Sequence, residues 1–414
     1  MEGWFVLNIN LSRLKKSIER MNKIGETSGG GVSRLALSSE DKEARDLFVA
    51  WMKESGLTVC FDDLGNIYGK RRGLNDSLKP IVVGSHLDSV PNGGKFDGIL
   101  GVMCALEVIR TLNENQISTL RPIKIVDFTN EEGARFEPAM LGSGVLSGDF
   151  DIEFMYTRAD KYGNKLQSEL ESIGYLGKRT ERLTEAEAYI ELHIEQGPVL
   201  DFEGIPIGAV EGIMGMSWFN VTVIGEADHA GPTPMSMRKD ALCAAAKMIL
   251  AIRDVADVLK GDAVTTVGKI EAQPGIVNAI PGVVRFSTDI RHVDNHKRNV
   301  GIQLIKERLN QIAVEEQVIV EMKEIWSIDT TVFSKEIVDL IVEAANYNDY
   351  PVRRIVSGAG HDAKYMNSLF PTAMIFVPSI EGKSHCEIEN TNWSDIEMGA
   401  NVLLRVVANL SNKR

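Results

Sequence analysis

Two hydrophobic periods alternate along this chain, and that alternation constrains the fold more than any other feature. Short apolar runs such as PIVVGSH, RPIKIVDFTNEEG and PTAMIFVPS are interleaved with longer stretches such as EDKEARDLFVAWMKESG and DGILGVMCALEVIRTLNEN. The short runs, bounded by turn residues, fit buried strands; the longer ones carry apolar positions at helical spacing. Ser38 or Ser39 is the expected cap of the helix that stops at Gly56. Strands alternating with helices imply an α/β fold, layered around a mostly parallel central sheet.

The rhythm changes between Gly212 and Asp329. SWFNVTVIG, DALCAAAKMILAIRDVADVL, AVTTVGKIEAQ, GVVRFSTDIRH, NVGIQLIKERLNQIAVEE and VIVEMKEIW follow the β-α-β-β-α-β order of a ferredoxin-like α+β unit. A chain of 414 residues is long enough for two or three domains. We therefore expect an inserted domain, residues 212–329, interrupting a first domain made of residues 1–211 and 330–414.

In parallel sheets the polar residues at strand exits converge on one edge, where ligands bind. SHLDS and TNEEG are thus expected side by side. His86 follows IVVGS, His193 lies in AYIELHIEQGP and His385 in PSIEGKSHCE. One histidine at a strand end is more often an ordinary core or surface residue than a ligand, but three on one edge beside carboxylates reverse that reading. The carboxylates are Asp88, Asp97, Glu131, Glu132, Glu191 and Glu195. Imidazole and carboxylate together suit a divalent ion. Five such ligands cannot surround one open catalytic ion; they suit two ions about 3.5–4 Å apart that share a carboxylate. Asp97, presented by the glycine turn GGKFDG, is the best bridge, although it could simply cap the helix that follows. Asp88 could orient the His86 imidazole through its second nitrogen. In the Glu131–Glu132 pair, one carboxylate can ligate while its neighbour acts as general base; acidic residues at a helix start are the plainer reading.

The net charge of −13, without a basic stripe, argues against nucleic acid or an anionic membrane as partner. Cys60, Cys104, Cys243 and Cys386 show no C-x-x-C spacing, so neither a disulfide framework nor a thiolate zinc site is indicated. With WFVL too short for a signal core, the expected location is cytoplasmic.

The motifs GSHLDSVPNGGKFDG, NEEGARF, ELHIEQGPVL, DHAGPTPMSMRKDA, GIVNAIPGVVRFSTDIR, SGAGHDA and MIFVPSIEGKSH resemble the hydantoinase/carbamoylase branch of the dinuclear zinc aminoacylase-type amidohydrolases and peptidases. The likeness runs in order over essentially the whole chain. It implies a metal-binding catalytic domain that holds two divalent ions per subunit, zinc, manganese, cobalt or nickel. His86 and His193 would hold one ion, Glu132 and His385 the other, with Asp97 bridging and Glu131 as general base. It also implies that the inserted domain is a lid and homodimerisation module whose His229, Asn278 and Arg291 act on substrate. Arg291 offers a planar fork for a carboxylate and His229 a donor for an oxyanion; asparagine is a routine turn residue, which leaves Asn278 the weakest of the three. Gln196, Gly360 and His361 are further candidate substrate contacts, whereas His292 and His296 read as surface residues.

The implied activity is hydrolysis of the carbamoyl (ureido) C–N bond of an N-carbamoyl-L-amino acid, a small ureido acid, with allantoate as the alternative substrate. More distant alternatives are a β-ureidopropionase, a dipeptidase or aminoacylase, and a non-catalytic metal-binding protein. Two positions depart from relatives. Gly144 stands where many carry arginine, and Met216 stands where allantoate enzymes often show glutamine. Met216 removes a donor for a second ureido group, while SGAGHDA and IRH look closer to the allantoate enzymes.

Overall fold

A computed structural model describes residues 7–260 and 263–413. It divides into two compact units, Met1–Glu211 with Phe333–Arg414, and Gly212–Val332.

At the centre of the first unit, the strands Ile123–Phe128, Ile81–His86, Ala188–Ile194 and Thr372–Val377 lie side by side in that order, all parallel. Antiparallel strands flank them: Ile67–Arg71 on one side and Ile207–Ile213 on the other. Every residue of Ile81–His86, Ala188–Ile194 and Thr372–Val377 is buried, as expected for strands covered on both faces. The helices Ile99–Glu114 and Trp393–Asn412 pack against these strands. They bury residues such as Leu100, Ile109, Leu403 and Val407 completely, each worth about 1.5–3 kcal/mol of transfer free energy. Ser38 caps the helix Ser39–Glu54 by accepting from Asp41 N. The run TVCFDDLGNIYGKRRG forms a hairpin of Thr58–Phe61 and Ile67–Arg71. Asp62 closes its turn by accepting from the backbone N–H groups of Leu64 and Asn66, both at 2.9 Å. Where the chain leaves and re-enters this unit, Phe333 N donates to Glu211 O at 2.9 Å.

The second unit is a five-stranded antiparallel sheet in the order Ile270–Gln273, Val283–His292, Gly215–Ile224, Ile319–Ile328. Ala263–Thr266 pairs with the far end of Val283–His292. Helices Ala241–Val258 and Asn295–Glu315, capped by Asp240 and Asp294, pack on the sheet. Met248, Ile252, Phe286, Ile290, Ile305 and Leu309 form part of the core between them. Strand alternation decides which side chains enter that core. In Val283–His292 the even positions from Val284 to His292 are buried. His292 is therefore a core residue, contrary to the surface position expected, and its Nδ1 accepts from Asp294 N at 2.8 Å. His296 is exposed.

All four cysteines are free. Among the described residues, no helix is long and apolar enough to cross a membrane.

Candidate metal centre

The parallel strands of the first unit deliver their polar exits to one edge. His86 ends its strand, His193 lies one residue before the end of the neighbouring strand, and Glu131 and Glu132 follow the strand on the other side. His385 follows the strand Thr372–Val377 after a short 3-10 turn. Asp97 comes from the glycine turn before helix Ile99–Glu114. It does not cap that helix: Gly98 is the cap residue, and no side chain bonds the helix start. Gly98 has φ +67°, and a Cβ there would run into the His86 ring, so the turn needs glycine. The glutamate pair does not sit at a helix start either, since the next helix begins at Leu141.

Asp97 divides its two oxygens between two groups. Oδ1 lies 3.2 Å from His193 Nε2 and 3.7 Å from His86 Nε2, while Oδ2 lies 3.3 Å from His385 Nε2. That same His385 nitrogen is 3.3 Å from Glu132 Oε2. The result is two ligand triads, His86–Asp97–His193 and Asp97–Glu132–His385, each with its ligand atoms within 4.8 Å of one another. Glu131 Oε2 stands 3.5 Å from His86 Nε2. His385 is 53% exposed against 2% and 1% for the other two rings, so the cluster opens to solvent on its side.

Backbone carbonyls orient the buried rings. His86 Nδ1 is 2.9 Å from Asp88 O, and His193 Nδ1 is 2.9 Å from Ile194 O. These contacts favour the proton on Nδ1 and leave Nε2 as the ligating atom. The Asp88 carboxylate does not orient His86 as expected, lying 3.8 Å from Nδ1. Its oxygens instead accept from Glu131 N at 3.1 Å and Glu132 N at 3.3 Å, which fixes the glutamate turn. Asn130, Gln196 and His385 all take positive φ, between 55° and 57°. Strain of this kind at three strand exits is typical of a functional edge.

The electrostatics are those of a site short of positive charge. Burial, reinforced by Asp362, Glu132, Asp88 and Asp97, raises the Glu131 carboxyl well above its usual range. Burial and the charges of Asp97 and Asp88 do the same to Glu132. Burial pushes His86 down to about 4, which leaves its Nε2 lone pair free at neutral pH. Asp97 is held well below the carboxylate range: burial opposes this, but hydrogen bonds from His193 and His385 prevail. Glu132 Oε1 is buried with no hydrogen-bond partner among the described residues, an orphan that costs free energy unless a cation meets it. Imidazole nitrogens and carboxylate oxygens in two triads, with crowded carboxylates, fit a pair of divalent ions.

The remaining candidates divide. Gln196 joins the cluster, its Nε2 donating to Asp97 Oδ2 at 2.7 Å. His361 is buried with its ring centroid 4.6 Å from that of His193, and its Nε2 lies 3.0 Å from Ser357 Oγ. Gly360 beside it is half-buried. Glu191 accepts from Ser85 Oγ, Tyr189 OH and Ala363 N, and with His193 and His361 it makes a third group of ligand atoms within 4.8 Å of one another. Glu195 accepts from Val199 N and Leu200 N and caps a short helix. At Gly144 a Cβ would press into the Phe150 ring, which leaves no room there for a longer side chain.

In the second unit, His229 pairs with Ala279 in a two-residue ladder, and Ala230 N donates to Asn278 O, so His229 and Asn278 are neighbours on an exposed rim. Arg291 bonds Asp289 Oδ2 through Nε at 2.9 Å and Nη2 at 2.8 Å, and Met216 sits directly across from it in the strand register.

Two buried acids near the cluster escape a motif reading. Asp362 accepts from Ser143 Oγ, and Glu389, 2% exposed, accepts from the backbone N–H groups of Phe96 and Asp97. Glu389 stands four residues after His385 in HCEIE, and that spacing is its only trace in the sequence.

Residues 82–409 match the model of peptidase family M20/M25/M40. The chain is 39% identical to an N-carbamoyl-L-amino-acid amidohydrolase of Rhizobium meliloti, over 96% of each chain. It is 34% identical to an allantoate amidohydrolase of Bacillus subtilis, over 95% of this chain and 96% of that one. The crystal structure of a hydantoinase/carbamoylase family amidase from Burkholderia multivorans superimposes with a TM-score of 0.95 at 42% identity, covering 98% of this chain and 99% of the other.

Proposed function

The chain belongs to the M20/M25/M40 peptidase family, and from that premise we propose that it hydrolyses the carbamoyl C–N bond of N-carbamoyl-L-amino acids, releasing the L-amino acid, ammonia and carbon dioxide. The observation that carries this reading is the division of the Asp97 oxygens between two ligand triads. Cleaving a ureido group needs a polarised carbonyl and an activated water. Two divalent ions, zinc, manganese, cobalt or nickel, supply both when bound. His86 and His193 would hold one, Glu132 and His385 the other, with Asp97 between them.

Glu131 handles the proton. Buried and with its Oε2 3.5 Å from His86 Nε2, it would take a proton from the attacking water and pass it to the leaving nitrogen. Arg291 binds the substrate α-carboxylate, exchanging its bond with Asp289 for a two-pronged one. His229 donates to the oxyanion that forms as water adds, with Asn278 beside it to orient the ureido group. Gln196, Gly360 and His361 line the substrate on the first unit. His229 and Asn278 serve the active site of a second subunit in a homodimer formed through the inserted unit.

Met216, buried and opposite Arg291, favours a carbamoyl amino acid over allantoate, because an apolar side chain offers nothing to a second ureido group. The test is ammonia release from N-carbamoyl-L-methionine and from allantoate by protein stripped of metal and reloaded separately with each of the four ions. Faster turnover of the carbamoyl amino acid is expected, and only in the reloaded protein. Faster turnover of allantoate would reverse the substrate assignment. Full ion uptake with no turnover of either would leave a metal-binding protein without this activity.

A further inference from the structure

Behind Asp97 lies a buried clamp that the mechanism above does not use. Glu389 Oε1 accepts two consecutive backbone N–H groups, Phe96 at 2.9 Å and Asp97 at 3.1 Å. Its Oε2 accepts from Ser384 Oγ at 2.9 Å, and that hydroxyl lies 3.1 Å from Asp97 Oδ2. A Cβ at Gly94 would collide with the Glu389 carboxyl, so the glycine turn is shaped around this side chain. One carboxylate therefore grips the main chain that carries Asp97 and also touches, through a single hydroxyl, the oxygen that Asp97 shows to His385.

We propose that Glu389 is a positioning residue for Asp97, holding the turn Gly94–Asp97 by the backbone N–H groups of Phe96 and Asp97 so that each Asp97 oxygen faces one triad. This rests on the two-ion reading of the site. Because Asp97 belongs to both triads, loss of the clamp weakens both ions together, whereas loss of a residue in one triad alone weakens one.

Two variants separate geometry from charge. Glu389→Asp keeps the charge but withdraws the carboxylate by one methylene, out of reach of the paired amides. Glu389→Gln loses the charge but keeps the reach: its amide oxygen accepts from Phe96 N and Asp97 N, and its NH2 donates to Ser384 Oγ, which turns the hydroxyl proton toward Asp97. The experiment is calorimetric titration of metal-stripped protein with Mn2+, with melting curves of the stripped protein to confirm folding. Glu389→Asp should bind both ions about 10-fold or more weaker, while Glu389→Gln binds both as the wild type does. If Glu389→Asp fails to fold, Glu389→Ala takes its place: about 10-fold weaker binding of both ions supports the clamp and wild-type affinity overturns it, while a similar loss in the Gln variant means charge alone matters, and the inference falls. It falls equally if the Asp variant, folded, binds two ions with wild-type affinity. If the wild type itself takes up a single ion, the two-ion reading fails and carries this inference with it.

Discussion

The two units present their polar side chains by opposite means. In the first, the candidate ligands other than His385 are buried at the exits of packed strands, and each is held by further bonds: Asp88 on the glutamate turn, Gln196 on Asp97, carbonyls on the rings. In the second, His229 and Asn278 stand exposed on a two-residue ladder, beside Ile276 and Val277, which are themselves 57% and 104% exposed. Fixing metal ligands to within about half an ångström takes a rigid and desolvated frame. Holding a substrate by its carboxylate and ureido oxygen takes only donors at the right place. The difference fits the proposed reading, in which the packed unit carries the reaction chemistry and the inserted one the choice of substrate.

The hardest blow to that division would come from Glu131. Glu131→Gln should lower kcat by about 10^2–10^4 while uptake of two ions, read by calorimetry, stays as in the wild type. Turnover that survived would overturn Glu131 as the general base. A middling effect is expected across the divide. Arg291→Ala loses a charged hydrogen-bond pair with the substrate and should lower kcat/KM by roughly 10–100-fold, chiefly through KM, with ion uptake untouched. An unchanged KM would strip the second unit of its part in recognition. The smallest effect sharpens the comparison. Met216→Gln adds one amide beside Arg291 and should shift the ratio of kcat/KM for allantoate over N-carbamoyl-L-methionine upward by about 10-fold, measured by ammonia release.

Much of the first unit was legible because strand exits announce themselves. His86, Glu131, Glu132, His193 and His385 each follow an apolar run, and a parallel sheet brings such exits together without further instruction. The alternation of strand and helix gave the layered α/β architecture by the same logic. What stayed hidden depends on contacts between distant residues. Glu389 reaches Phe96 across 293 residues of chain and Asp97 across 292, and nothing in HCEIE says which amides it will meet. Asp88 two residues after His86 invited a side-chain contact, yet the carbonyl took that place and freed the carboxylate for Glu131 and Glu132. His292 was misread because a polar residue at a strand end looks like surface; the period of two in GVVRFSTDIRH, counted from Val284, places it inward.

The bond from Phe333 N to Glu211 O bears on how such a chain came to be assembled. The two cut ends of the packed unit are neighbours in space, so a tight turn could join them at little entropic expense, since closing a short loop is cheap next to the burial of a sheet. The intervening segment thus behaves as a cassette, spliced into a pre-existing scaffold without stretching it. A lineage with this architecture can exchange the intervening unit while leaving the packed sheet and its strand exits intact.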